Sequence, residues 1–181
     1  MMMRINMRAL SALLTAALVA GAVAPAMADQ ADALRAAQLQ QPNIEVNAEA
    51  AQQASADLQA APIHTPADIV AYASAHPTDS PLLALSPLDR QVFLDSLRYN
   101  TSGVTSFRYD VLENLTPSQA HEVLALIGQQ SFTSQLNLKA ASPTDQRIMK
   151  FRPSLIPLKG YLCEGRGTCT VAEHNACAGT C

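Results

Sequence analysis

The chain has 181 residues, 12 Lys+Arg, 15 Asp+Glu, 4 Cys and no Trp; it is 49% hydrophobic but only 4% aromatic. That length excludes a TIM barrel or a large two-domain enzyme. A net charge of −3 gives no electrostatic footprint for nucleic acid.

Residues 1–28 read as a secretory signal. Arg4 and Arg8 make a positive n-region, and residues 9–24 are apolar and uncharged. Pro25 then breaks the helix, and Ala26-Met27-Ala28 is the small-x-small pattern that signal peptidase accepts, so the mature chain is expected to start at Asp29. An uncleaved anchor is the alternative, but this Ala-rich run is short against the ~20 residues of a span. No Cys precedes Cys163, so lipidation at the mature N-terminus is not expected.

Residues 29–64 form an Ala/Gln-rich leader. Eleven Ala and seven Gln fall in 29–62, with no aromatic residue. These residue types favour helix, while Leu34, Leu39, Ile44, Val46 and Leu58 are too few for a core. The expectation is two weak helical pieces, about 30–41 and 47–60, interrupted at Pro42-Asn43, in a partly helical or disordered leader. A coiled-coil arm lacks a sustained heptad.

All eight aromatic residues lie from Tyr72 to Tyr161, which places the core after the leader. A Ser/Thr-Pro-x-acid/amide signature recurs there four times, at Thr65-Pro66-Ala67-Asp68, Ser86-Pro87-Leu88-Asp89, Thr116-Pro117-Ser118-Gln119 and Ser142-Pro143-Thr144-Asp145. Each puts a hydroxyl at N-cap, Pro at N1, where no N–H is needed, and an acceptor at N3 that reaches back to the cap. Four such tetrapeptides predict four helix starts. Apolar stripes follow them: Ile69, Val70 and Ala73; Leu88, Val92, Phe93 and Leu97; Ala120, Val123, Leu124 and Ile127, ending at Gly128; and Ile148, Met149 and Phe151 before Pro153.

Between the second and third helices, residues 104–109 alternate like a strand, and 132–138 is the one partner the sequence suggests for a hairpin. A lone strand is not stable, so Phe107 and Tyr109 are expected to enter the core from a loop. The fold expectation is therefore mostly α: a small domain of about four helices over 65–155, with the leader before it and a stapled tail after it.

The tail, 156–181, holds every cysteine: Cys163, Cys169, Cys177 and Cys181. An even count in an exported chain reads as two disulfides, with three pairings open; the nested one suits a hairpin-like tail. Zinc or free redox thiols are the competing readings. Zinc sites favour Cys pairs two to four residues apart, which Cys163-x5-Cys169 does not offer, and no Cys-x-x-Cys is present. Neither a metal nor another cofactor is expected.

Charge is uneven. Residues 29–138 carry 4 basic and 12 acidic side chains, whereas 139–166 carry 6 basic and 2 acidic. That segment reads either as a surface for anionic lipid or an acidic partner, or as a solvated complement to the acidic body, the second being simpler because the charges are spaced. His121-Glu122 begins like a zinc-protease motif, but Ala125 stands where the second ligand belongs. No nucleophile elbow, phosphate loop or dinucleotide fingerprint occurs. Scattered Ser, His and Asp can still converge in space, which leaves catalysis open.

The sequence thus points to an exported, periplasmic or secreted, non-catalytic binding protein. Its partner would be an unidentified protein or envelope component, with no nucleic acid and no membrane span after signal cleavage. The alternative is a precursor that releases its Cys-rich tail as a toxin- or bacteriocin-like peptide, cut near Arg152 or Lys159-Gly160.

Overall fold

A computed structural model describes residues 48–151 and 157–181, which belong to one compact unit. The export segment and the expected helix at 30–41 lie outside the described residues. No helix among the described residues is long and apolar enough to cross a membrane.

The chain is helical through 48–60 (α1), then Pro66–Ala75 (α2), Pro87–Ser96 (α3), Pro117–Ala125 (α4) and Pro143–Lys150 (α5). Four strands accompany them: β1 (Arg98–Asn100), β2 (Gly103–Arg108), β3 (Leu158–Gly165) and β4 (Thr168–Cys177). They form one antiparallel sheet in the order β1-β2-β4-β3. The fold is therefore mixed α/β, which corrects the mostly helical expectation. The reason is the pairing partner of β2. Residues 132–138 do not pair with it; Gln130–Gln135 is a 3-10 turn. Instead β1 and the cysteine-bearing β4 flank β2, with Ser106 opposite Cys177 and Phe107 opposite Ala176. Phe107 enters the core as expected, but from a strand.

The four caps sit where the sequence puts them. Thr65, Ser86, Thr116 and Ser142 are the N-caps of α2 to α5, each with Pro behind it. The reciprocal bond is complete at Thr65, Thr116 and Ser142. At Ser86, the Asp89 carboxylate accepts from the cap hydroxyl at 2.7 Å. Ser80-Pro81 caps a further 3-10 turn, Pro81–Ala84, which the signature misses because Leu83 stands at its N3 position.

The core gathers only part of the apolar stripes around three phenylalanines: Phe93, Leu97, Ala120, Val123, Leu124 and Ile127 are buried, whereas Val70, Leu88 and Phe151 are exposed. Phe107 meets Phe132 edge-on at 5.3 Å and Phe93 at 6.5 Å, favourable geometry for aromatic rings. Ile63, fully buried, donates its backbone N–H to the Leu126 carbonyl, so the end of the leader is part of this core. Gly128 ends α4 in a Schellman motif: its own N–H goes to Ala125 O, and Gln129 N–H returns to Leu124 O. Its φ is +69°, and a Cβ there would stand 2.8 Å from the Leu58 Cα of α1.

Asp145 is buried, yet meets no cation in an ion pair among the described residues. Its carboxylate instead accepts from Ser118 N and Oγ at 2.9 and 2.6 Å, from Ala141 N at 3.1 Å and from Ser142 N at 2.9 Å. One side chain thus completes the α5 cap and sits at the positive N-terminus of α4. The Ser118 hydroxyl, the Ser142 cap and these backbone donors hold its carboxyl far below the usual carboxylate range.

The hairpin β3–β4 is folded over on itself. Cys169 and Cys177 both lie on β4, eight positions apart, yet their Cα atoms are 6.2 Å apart, where an extended strand would separate them by about 26 Å. The fold-over coincides with two left-handed residues, Gly160 (φ +85°) and His174 (φ +65°), and with a register shift between Lys159 and Tyr161. It brings the outer half of the hairpin back onto β2: Ser106 pairs through its backbone with Cys177, and its Oγ accepts from Cys163 N at 2.7 Å.

Gly128→Ala should cost about 2 kcal/mol through left-handed strain and collision with α1; an unchanged denaturant midpoint would show that α1 is not seated on α4. Asp145 titrates lower folded than unfolded, so its stabilisation is complete above the unfolded value, near pH 4, and fades as pH falls toward the folded one. Asp145→Asn should lower the neutral-pH melting temperature and flatten its decline between about pH 5 and 2. Parallel wild-type and variant curves would contradict this assignment.

Candidate functional site

The turns of the two hairpins, with the C-terminal strap between them, enclose an open groove of ≈ 820 Å³. The β1–β2 turn is set locally: Asn100 Oδ1 accepts from Ser102 N at 2.8 Å, an Asx turn. The strap, residues 178–181, is fastened on both sides. Ala178 N donates to Thr105 O, Thr180 Oγ1 to Val104 O at 2.5 Å, and Asn100 Nδ2 to Thr180 O at 2.6 Å. On the other side, Gly167 N donates to Cys181 O at 2.7 Å, and the Cys163–Cys181 bridge ties the strap to β3.

Arg98 from β1 and Arg166 from the β3–β4 turn line this groove, together with Glu164, Tyr99, Thr101 and Thr180. Neither arginine is in an ion pair among the described residues, whose pairs are His76–Asp79 and Arg108–Asp110. Tyr99 keeps its hydroxyl buried and, among the described residues, without a hydrogen-bond partner. Burial, with the charge of Asp68 adding to it, pushes that phenol up to about 12, so it stays a neutral donor. The wall chemistry is therefore two guanidiniums and several hydroxyl and backbone donors against one acidic side chain, Glu164, a side-chain lining of net positive charge that suits a polar, anionic ligand.

The four sequence-selected cysteines are all brought together here. The bridges are Cys163–Cys181 and Cys169–Cys177, the nested pairing. Among the described residues, Cys163, Cys177 and Cys181 are the one group of His, Cys, Asp or Glu atoms close enough to hold a metal, with Sγ atoms within 4.8 Å of one another. In the bridged protein they offer no thiolate.

The four histidines are dispersed. His121 lies half-buried on α4 and burial pushes its imidazole down, with Asp57 and Glu122 opposing that shift. His76 contacts Asp79 at 3.2 Å on the surface and stacks on Tyr72. His64 lies beside Gly103, and the His174 carbonyl accepts from Tyr109 N. The basic segment 139–166 makes no ion pair with the acidic body among the described residues. Lys159 instead donates to Gln135 O at 3.2 Å and sits 4.7 Å above the Tyr109 ring. Arg152 lies outside the described residues.

Arg98 and Tyr99 were not legible as site residues. Their only local signal is the Asn-Thr-Ser-Gly turn that follows them, and the partner the sequence suggests for the following strand, 132–138, is not the one it has. Compared with protein-family models, curated proteins and solved structures, the chain matches none.

Proposed function

We propose that this is an exported, non-catalytic binding protein of the bacterial envelope or exterior, and that the groove between the two hairpin turns takes a carboxylate- or phosphate-bearing partner. The observation that carries this reading is the pair of arginines, Arg98 and Arg166, on a groove whose wall is fixed by a disulfide. Guanidinium groups without internal partners are free to form bidentate bonds to such anions. A pinned wall reduces what binding must spend on ordering the site. The disulfides and the signal-like first 28 residues support an oxidising compartment.

The competing reading, release of the tail as a peptide, fits the packing less well. β4 is the neighbour of β2, and its Ala176 and Cys177 are fully buried. Lys159, at one candidate cleavage point, is held by Gln135 O and the Tyr109 ring. Excision would strip the sheet of two strands.

The ligand reading is tested by calorimetric titration of the full secreted chain with inorganic phosphate and with an acidic peptide. Saturable binding of either is expected, weakened about tenfold by Arg98→Ala and again by Arg166→Ala, on the usual scale for charge-assisted hydrogen bonds; equal affinity in all three proteins would refute the site. Export is tested separately by intact mass. A single species spanning 29–181, four protons light, is expected, whereas a fragment starting after about residue 152 would favour the precursor.

A further inference from the structure

We propose that the four cysteines form a thiol–disulfide exchange site, at which the nested bridges interconvert with a second set, Cys163–Cys169 and Cys177–Cys181. Three independent observations place the second set within reach. Cys177 belongs to one bridge, yet its Sγ lies within 4.8 Å of both sulfurs of the other. Cys163 and Cys169 are directly opposite each other in the β3–β4 ladder. Opposed residues of an antiparallel pair have Cα atoms about 4.5–5.5 Å apart, inside the range that a disulfide spans. The turn at 178–181, closed by Cys181 N donating to Ala178 O at 3.0 Å, carries Cys181 back toward Cys177.

Exposure limits where an external thiol can enter. Cys163, Cys169 and Cys181 are partly exposed, whereas Cys177 is buried. In the route that opens at Cys163, an external thiolate, RS⁻, attacks Cys163 Sγ; the Cys163–Cys181 bond breaks, and Cys181 leaves as thiolate. Cys181 then attacks Cys177 Sγ, forming Cys177–Cys181 and releasing Cys169 as thiolate. Cys169 attacks Cys163 Sγ across the ladder, forming Cys163–Cys169 and returning RS⁻. Two bridges are broken and two are made, nothing is oxidised or reduced overall, and the external thiol is recovered unchanged. While the first bridge is open, the Gly165 carbonyl, 3.1 Å from Cys181 Sγ and 3.6 Å from Cys163 Sγ, is within reach of an S–H on either.

The two sets differ in what they restrain. Both nested bridges cross the fold-over of the hairpin, and Cys163–Cys181 also fastens the strap to β3. The second set cross-links the outer ribbon to itself and the strap to the end of β4, so neither bridge holds the fold-over. Exchange would thus release one wall of the groove. That consequence rests on the binding reading above, whereas the exchange itself does not.

The experiment maps the bridges of the full chain held folded in a mixture of reduced and oxidised glutathione, quenched in acid, alkylated and cleaved after Arg, Lys and Glu. The nested set yields one cluster of three peptides, 160–164, 167–173 and 174–181. The second set yields 160–164 linked to 167–173, with 174–181 free and internally bridged. Growth of the second pattern with time is expected, its initial rate rising about tenfold per pH unit below the thiol's own pKa because thiolate is the attacking species. Persistence of the three-peptide cluster alone overturns the proposal. In Cys169→Ser, kept free of external thiol, the Cys177 thiolate should divide the protein between Cys163–Cys181 and Cys177–Cys181 forms. A product holding Cys163–Cys181 alone, with Cys177 fully alkylated, overturns it as well. Either result is independent of whether phosphate or peptide binds the groove.

Discussion

The pairing of β2 with β4 is the contact on which the rest of the molecule depends. Three opposed residue pairs, Ser106 with Cys177, Phe107 with Ala176 and Arg108 with Asn175, join the helical body to the last strand. Tyr109 N to His174 O and Ala178 N to Thr105 O prolong the contact at both ends. Phe107 and Ala176 are fully buried, so the pairing is also where the core is closed. Without it, β2 would have only the three residues of β1 as a neighbour, and a two-stranded ribbon is marginal in water. The groove exists because the same pairing sets the C-terminal strap against the β1–β2 turn.

What the sequence made legible was local. A capping box needs four residues and no partner elsewhere, and each cap and its helix stand where Thr65, Ser86, Thr116 and Ser142 put them. Gly128 ended its helix for an equally local reason. The sheet was not legible because its decisive pairing is long-range. The alternation at 104–109 marked a strand, but its sequence neighbour β1 is short, and its other partner, β4, lies far along the chain. The segment chosen as its partner, 132–138, spends its hydrogen bonds within a 3-10 turn, Phe132 N to Gln129 O and Leu136 N to Thr133 O. The abrupt rise in Gly and Cys made the tail read as a module of its own. Composition reports what a segment can do alone, and a strand that completes another segment's sheet leaves no such mark.

Charge shows the same division between local and distant terms. Among the described residues, the carboxylates that do the most are not in salt bridges. Asp68 accepts from His64 N and Thr65 N at 2.9 and 2.8 Å, which lowers its titration, and Asp145 gathers four donors. Both act as caps, where a carboxylate satisfies N–H groups that the first helical turn leaves open. At Asp68, the acidic body therefore needs no cation from the basic segment, and Asp145, within that segment, is likewise held by N–H and O–H donors. Lys159 is used on a carbonyl and an aromatic face, and Arg166 faces the groove.

The fold-over of the β3–β4 hairpin explains why this end of the chain carries cross-links at all. Folding a two-stranded ribbon back on itself interrupts its ladder: β4 pairs with β3 at 168–171 and again at 176–177, with the intervening residues bulged out. Gly160 adopts φ +85° with open space around it, so glycine is needed there for backbone freedom and not for room. His174 takes φ +65° without that freedom, a conformation that side-chain-bearing residues adopt at a cost. Its carbonyl is taken by Tyr109 N, so that cost is offset by a bond that extends the β2–β4 pairing. The exposed apolar pair on the outer ribbon, Tyr161 opposite Val171, adds little burial to hold the bend. With few apolar contacts there, restraint of the unfolded chain has to supply the order, and bridges closing short loops contribute about 2–3 kcal/mol each in the chain-entropy description. The nested pairing is the one of the two reachable sets that places this restraint across the bend.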